Sequence, residues 1–143
     1  MVTLVTGATG FVGSAVAIRL IEAGHRVRAL VRPGSDTSNI DGLDVDVRTG
    51  DITDAGTVER ALAGCEALFH VAADYRLWVP DPEAMKRVNV EGTGVVMRAA
   101  LSAGVGRVVY TSSVATLGPS QDGGPVDETS RATIGEMVGW YKR

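Results

Sequence analysis

The sequence predicts an α/β fold in which a doubly wound, mainly parallel sheet carries helices on both faces. Three observations lead there. An apolar run ending at Val5 feeds directly into glycines spaced by three, Gly7, Gly10 and Gly13. Apolar side chains then recur at helical spacing through Phe11, Val12, Ala15, Val16, Leu20 and Ile21. Beyond them, short β-like runs alternate with helical stretches, and strands joined through helices pair in parallel by right-handed crossovers.

The first strand and helix meet at the glycines. Gly7 permits a tight turn, Gly10 lets the main chain approach a diphosphate with no Cβ in the way, and Gly13 lets the helix pack close to the strand. Free N–H groups and the helix dipole at that point favour an anion. Because the chain holds 18 glycines, the spacing alone is weak, and the strand before it and helix after it supply the specificity. The reading is a Rossmann-type dinucleotide cradle.

The remaining elements follow in order. Gly24 and His25 stop the first helix, and residues 26–31 alternate polar with apolar side chains as a second strand, ended by Arg32-Pro33-Gly34-Ser35. Residues 45–49 form a third strand, 55–62 a short helix and 67–71 a fourth strand. A long helix runs from about 82 to 103 and closes at Gly104-Val105-Gly106. Residues 107–111 make the fifth strand, Gly118-Pro119 and Gly123-Gly124-Pro125 mark an irregular loop, and a last helix begins near Ser130. The two-half dinucleotide fold has six strands. Five are visible here, so the domain reads as residues 1–143, C-terminally incomplete, ending inside its last helix and without a substrate domain. The far side of the fifth strand and the helical face formed by Ile134, Met137, Val138 and Tyr141 then lack covers.

A chain of 143 residues with 14 basic and 17 acidic side chains and a formal charge of −3 holds one domain and does not resemble a nucleic-acid or membrane-surface protein. Cys65 is the only cysteine. With no signal peptide and no apolar stretch of spanning length, a soluble chain in the reducing cytoplasm is expected. Cys65 has no nearby His or Cys and reads as an inert structural thiol, and no metal site is expected.

Four further signatures accompany the glycine turn: Gly50-Asp51-Ile52, Phe69-His70-Val71-Ala72-Ala73, Asn89-Val90-Glu91-Gly92-Thr93, and Tyr110-Thr111-Ser112-Ser113 followed by Tyr141. Together with Thr6 to Gly13 they resemble the N-terminal part of an extended short-chain dehydrogenase/reductase, the group that holds NAD-dependent epimerases and dehydratases. The stretch from His70 to Trp78 is most similar to hopanoid-associated sugar epimerases and dihydroflavonol-reductase-like members.

For the cofactor, the resemblance implies NAD or NADP. Thr9, Phe11 and Val12 join the glycines in the cradle. At the end of the second strand an acid selects the ribose 2′-hydroxyl and an arginine accommodates a 2′-phosphate. Arg32 stands there, so NADP is favoured. The alternatives are a solvated surface arginine, and Asp36 reaching the ribose, which would restore NAD. The resemblance has Asp51 accept from the adenine amino group while Ile52 packs on the ring; a turn aspartate is the other reading of Asp51. Val71, Ala72 and Ala73 are small or slender where a cofactor lies flat, and His70 reads as a packed, hydrogen-bonded core residue rather than an acid or base.

For the chemistry, Thr111, Ser112 and Ser113 leave the fifth strand at the sheet's carboxyl edge, where open α/β folds bind ligands. The resemblance implies Ser113 as hydrogen-bond partner of the reacting oxygen, with Ser112 and Thr111 as cofactor contacts; three hydroxyls capping a loop is the plain alternative. Tyr141 is the implied acid/base, and a free phenol, titrating near 10, needs help at neutral pH. The family supplies it with a lysine one helical turn further on, which lies past Arg143. Lys142, adjacent on a helix, would point about 100° away. Asn89, Gly92 and Gly94 inside a helix call for close packing, with the Asn side chain tying down a neighbouring backbone. Trp140 and Met137 are expected in the core or crevice, and Tyr75, Arg76 and Trp78 either line a pocket or form a surface loop.

These readings point to a hydride-transfer enzyme for a secondary alcohol or ketone, such as a sugar nucleotide, with a small-molecule substrate. A dinucleotide-sensing module without turnover is the alternative. An open apolar edge would also drive self-association into a homo-oligomer.

Overall fold

The computed structural model describes residues 1–118, 120, 123–139, 141 and 142. Five strands form one parallel sheet: β1 (Val2–Thr6), β2 (Arg26–Val31), β3 (Val45–Thr49), β4 (Ala67–His70) and β5 (Arg107–Tyr110). Their spatial order is β3-β2-β1-β4-β5. Chain direction across the sheet therefore reverses beside β1, between β1 and β4, and this is where open α/β sheets part to admit ligands. The register places Arg48, Leu30, Thr6, His70 and Tyr110 in one row across all five strands.

The two faces are covered by different helices. On one, α2 (Ala55–Leu62) and α4 (Thr93–Ser102) bury Val58, Leu62, Val96 and Ala99 against Leu4, Leu30 and Leu68. On the other, α1 (Phe11–Glu22) packs Ala17, with Val16, Leu20 and Ile21, on Val5, Val27, Ala29 and Val31. Thus the inward stripe of α1 begins at Gly13, and Phe11 and Val12, expected at helical spacing with the rest, stay exposed at its mouth. Asp54 starts α2 by accepting from the amides of Gly56 and Thr57 at 2.9 and 3.4 Å. At the opposite end the Arg28 guanidinium donates to the carbonyls of Ala61 and Ala63 at 2.7 and 2.8 Å and meets Asp46 at 2.9 Å. Cys65 is buried, burial raises its thiol pKa, and it donates to Ala61 O at 3.4 Å.

The long helix is present but interrupted. α3 (Pro82–Lys86) passes into a π-helical stretch, Arg87–Gly92, before α4 resumes. Ile52 fills the space left by the missing side chain of Gly92, whose Cβ would stand 3.0 Å from it. This gives Gly92 its packing reason.

Among the described residues the expected last helix is not formed. Near Ser130 the chain makes turns, and only a 3-10 turn, Ile134–Glu136, appears, its amide and hydroxyl at Thr133 both donating to Glu136 Oε2 at 2.8 Å. Ile134 and Val138 are exposed, and a segment whose apolar side chains find no surface to bury against lacks the packing that stabilises short helices. The exposed Val108 and Val109 belong to the edge strand β5. Pro119, Trp140 and Arg143 lie outside the described residues. Among the described residues no helix is long and apolar enough to cross a membrane, and no three metal-ligating side chains gather.

Candidate functional site

The glycine turn has the shape its spacing predicts. Gly7 adopts φ +74°, and the Gly10 N–H closes the turn on Gly7 O at 3.0 Å. A Cβ on Gly7 would lie 2.7 Å from Ala72 N, and one on Gly13 2.0 Å from Gly7 O. Neither position has room for a side chain. No side chain caps α1, whose first helical bond runs from Ser14 N–H to Gly10 O at 2.9 Å. The amides of Phe11, Val12 and Gly13 precede it without intrahelical acceptors, which is the arrangement that receives an anion. Thr9 is steadied from outside, since Asn39 Nδ2 donates to its carbonyl at 2.8 Å.

Arg32 follows β2 directly and is exposed. Asp36, four residues on, is occupied locally by the Ser38 amide at 2.9 Å, which holds its carboxyl below the usual range. Across the crevice Asp74 carries a carboxylate stabilised chiefly by its hydrogen bonds to Arg76, against the opposing effect of burial, and also by the field of Arg32. Arg32 and Asp74 are thus electrostatic neighbours on opposite sides of the cradle. Asp51 follows β3 but spends Oδ1 on a turn, accepting from the Thr53 amide at 2.8 Å and its hydroxyl at 2.7 Å. Ile52 is buried in the core against Gly92.

Beyond β4, Val71 and Ala72 are half-buried and Ala73 is exposed. His70, directly before them, is wholly buried. Its Nδ1 lies 2.7 Å from Thr6 Oγ1 and its Nε2 3.0 Å from Thr93 Oγ1. The ring stacks on Tyr110 with centroids 5.3 Å apart. Burial holds the imidazole pKa down at about 4, so it is neutral at ordinary pH, as befits a core residue.

Asn89, in the π-helical stretch, grips the next residues of the same loop. Its Oδ1 accepts from the Asp74 N–H and its Nδ2 donates to the Asp74 carbonyl, both at 2.7 Å. π-helical turns are frequent at functional sites. From that anchored point Tyr75, Leu77 and Trp78 project, 74%, 90% and 80% exposed.

Thr111, Ser112 and Ser113 follow β5 on the same sheet edge, the first two exposed. Ser113 Oγ accepts from the Ala115 amide at 3.1 Å and caps a 3-10 turn, Val114–Thr116. Tyr141 is half-buried in a turn rather than on a helix. Among the described residues no hydrogen bond joins it to Ser113, and off a helix the expected offset of about 100° between Tyr141 and Lys142 does not hold. The strand order therefore brings Gly7 to Gly13, Arg32, Asp51, Val71 to Ala73 and Thr111 to Ser113 to one edge of the sheet. Asn39 and Thr93 were not legible as supports, because each acts on a residue more than twenty positions away. Asn89 was, through the cost of Asn and Gly in a helix.

A family model described as the NAD dependent epimerase/dehydratase family matches residues 3–137. A Synechocystis sp. protein provisionally named dihydroflavonol 4-reductase is 45% identical over 97% of this chain and 40% of its own length. The crystal structure of gox2253 superposes with a TM-score of 0.93 at 60% identity, over 99% of this chain and 43% of that one. DesIV, a dTDP-glucose 4,6-dehydratase from Streptomyces venezuelae solved with NAD and TYD bound, gives a TM-score of 0.85 at 31% identity, over 99% of this chain and 47% of that one. The chain thus spans less than half the length of these proteins.

Proposed function

Because this chain belongs to the NAD dependent epimerase/dehydratase family, we propose that it is the dinucleotide-binding part of a cytoplasmic reductase, epimerase or dehydratase acting on a secondary alcohol or ketone, such as that of a sugar nucleotide. The observation that carries this is the uncapped start of α1 beneath a turn with no room for a Cβ. A nicotinamide dinucleotide fits it: the amides of Phe11, Val12 and Gly13 would take the diphosphate, Ala72 and Ala73 would offer a low wall, and Asp51 Oδ2 would face the adenine side.

The chemistry such a nicotinamide would supply, when held there, is exchange of hydride with the substrate carbon. The chain's own part is to hold and move the proton: Ser113 Oγ donates to the reacting oxygen while Ala115 N–H fixes its orientation, and Tyr141, once brought alongside, gives or takes the proton. NADP is the preferred cofactor in this reading, because Arg32 is exposed at the end of β2 whereas Asp36 is engaged by Ser38. Calorimetric titration with both nucleotides tests it. Binding of NADP at least about tenfold tighter than NAD, reduced by Arg32→Ser, is expected; tighter NAD binding overturns the assignment of Arg32.

A second reading has a specific observation behind it. Ser113 is engaged as a cap and Tyr141 is off any helix, which favours a dinucleotide-binding or sensing module that turns over no substrate. Steady-state assays of this stretch beside the intact protein separate the two readings.

A further inference from the structure

His70 is buried, lies one residue from the cradle wall, and takes no part in the chemistry described. Its two ring nitrogens are each met by a threonine hydroxyl from a different element, Thr6 at the end of β1 and Thr93 at the start of α4. The direction of these bonds follows from counting. Thr6 Oγ1 also lies 3.3 Å from the Ala72 nitrogen and 3.3 Å from that of Val71, whose N–H is shared with the Thr6 carbonyl at 3.2 Å. Both amides can only donate, and a hydroxyl has two acceptor sites and one hydrogen. With the Ala72 amide on one lone pair and the Val71 amide shared onto the other, the Thr6 hydrogen is directed to His70 Nδ1, which accepts. Nε2 therefore carries the ring proton and donates to Thr93 Oγ1.

This chain of bonds ends under the proposed ligand. The Ala72 amide that Thr6 holds is the atom 2.7 Å from where a Cβ on Gly7 would stand, so the diphosphate turn rests on the backbone that the hydroxyl secures. Thr6 and His70 are direct neighbours across the β1–β4 junction, where the sheet parts. Resting on the dinucleotide reading above, we propose that His70 in its neutral Nε2–H form is a positioning residue, which orients the Thr6 hydroxyl so that the ends of β1 and β4 are held at the spacing a dinucleotide diphosphate requires.

Two measurements on the intact protein test this. Nitrogen-15 NMR of the His70 ring at neutral pH is expected to show a protonated Nε2 and an unprotonated Nδ1, with or without nucleotide; the Nδ1–H tautomer or an imidazolium overturns the proposal. Thr6→Val keeps the shape of the side chain and removes the hydroxyl, and is expected to weaken the dissociation constant for NADP or NAD about tenfold, the loss of one to two hydrogen bonds. Thr6→Ser is expected to restore it. A Thr6→Val protein that melts earlier yet binds with unchanged affinity has lost only stability, and overturns the positioning role while the binding reading stands. If the unmodified protein binds neither nucleotide, that reading fails and this one with it.

Discussion

The two ends of the sheet's carboxyl edge are built differently. Around β1 and β4 the loops are fixed by atoms from several elements: Asn39 holds Thr9, Thr6 holds Val71 and Ala72, and Asn89 holds Asp74. Past β5, Ser113 Oγ accepts from the amide of its near neighbour Ala115. The glycine cradle is therefore a finished geometry, whereas the proton transfer proposed above would need Tyr141 brought to Ser113. A fold can prepare the first with backbone alone, while the second needs two side chains from separate segments.

The contrast can be broken most forcefully at Gly13. Gly13→Val places carbon where Gly7 O stands, and such overpacking costs about 3 kcal/mol or more; a dissociation constant for dinucleotide raised at least about a hundredfold, by calorimetry, is expected. Next comes acid. His70 titrates at about 4 in the folded chain against 6.5 for an unperturbed imidazole, so as pH falls from 6.5 the unfolded chain takes up the proton first. Stability is intact above about 6.5 and declines toward 4, by on the order of 3 kcal/mol in all. Urea unfolding at stepped pH checks this, and His70→Gln is expected to flatten that part of the profile.

Ser113→Ala sharpens the difference from the other side. It is expected to lower kcat of the intact protein about a hundredfold, the scale of a lost oxyanion donor, with the dinucleotide dissociation constant unchanged; equal effects on both would make Ser113 a loop cap only. Asn89→Ala removes two bonds to Asp74 and is expected to cost about 2 kcal/mol in denaturant unfolding, with faster amide exchange across residues 74–78. The smallest effect belongs to Asp54→Ala, away from both regions, at about 1 kcal/mol for the lost cap of α2 with affinity untouched.

Where the chain's own neighbourhood decides the structure, the residues were readable in advance. Strand and helix limits at 26–31, 45–49 and 55–62 agree with the structure because periodicity, Asp54 and the flanking glycines all act within a few residues. Gly7 and Gly13 were readable for the same reason. The last helix was not, since its apolar side chains promised a face whose packing partner no local pattern reveals. Asp51 shows the intermediate case: a carboxylate at a strand end suits both a ligand and a turn, and the structure gives one oxygen to the turn. The π-helical stretch left a trace only as Asn89, Gly92 and Gly94 standing where a helix pays for them.

That stretch has a consequence for how the molecule can change. Successive residues of an α-helix are offset by about 100°, so the added width at Arg87–Gly92 sets the phase between Met85, buried on one side, and Val96, buried on the other. Removing one residue there would return the backbone to regular winding and swing one half of the rod out of its socket. Lengthening or shortening this single turn thus acts as a dial on where the loop beyond β4 is moored, without altering a residue of the loop itself.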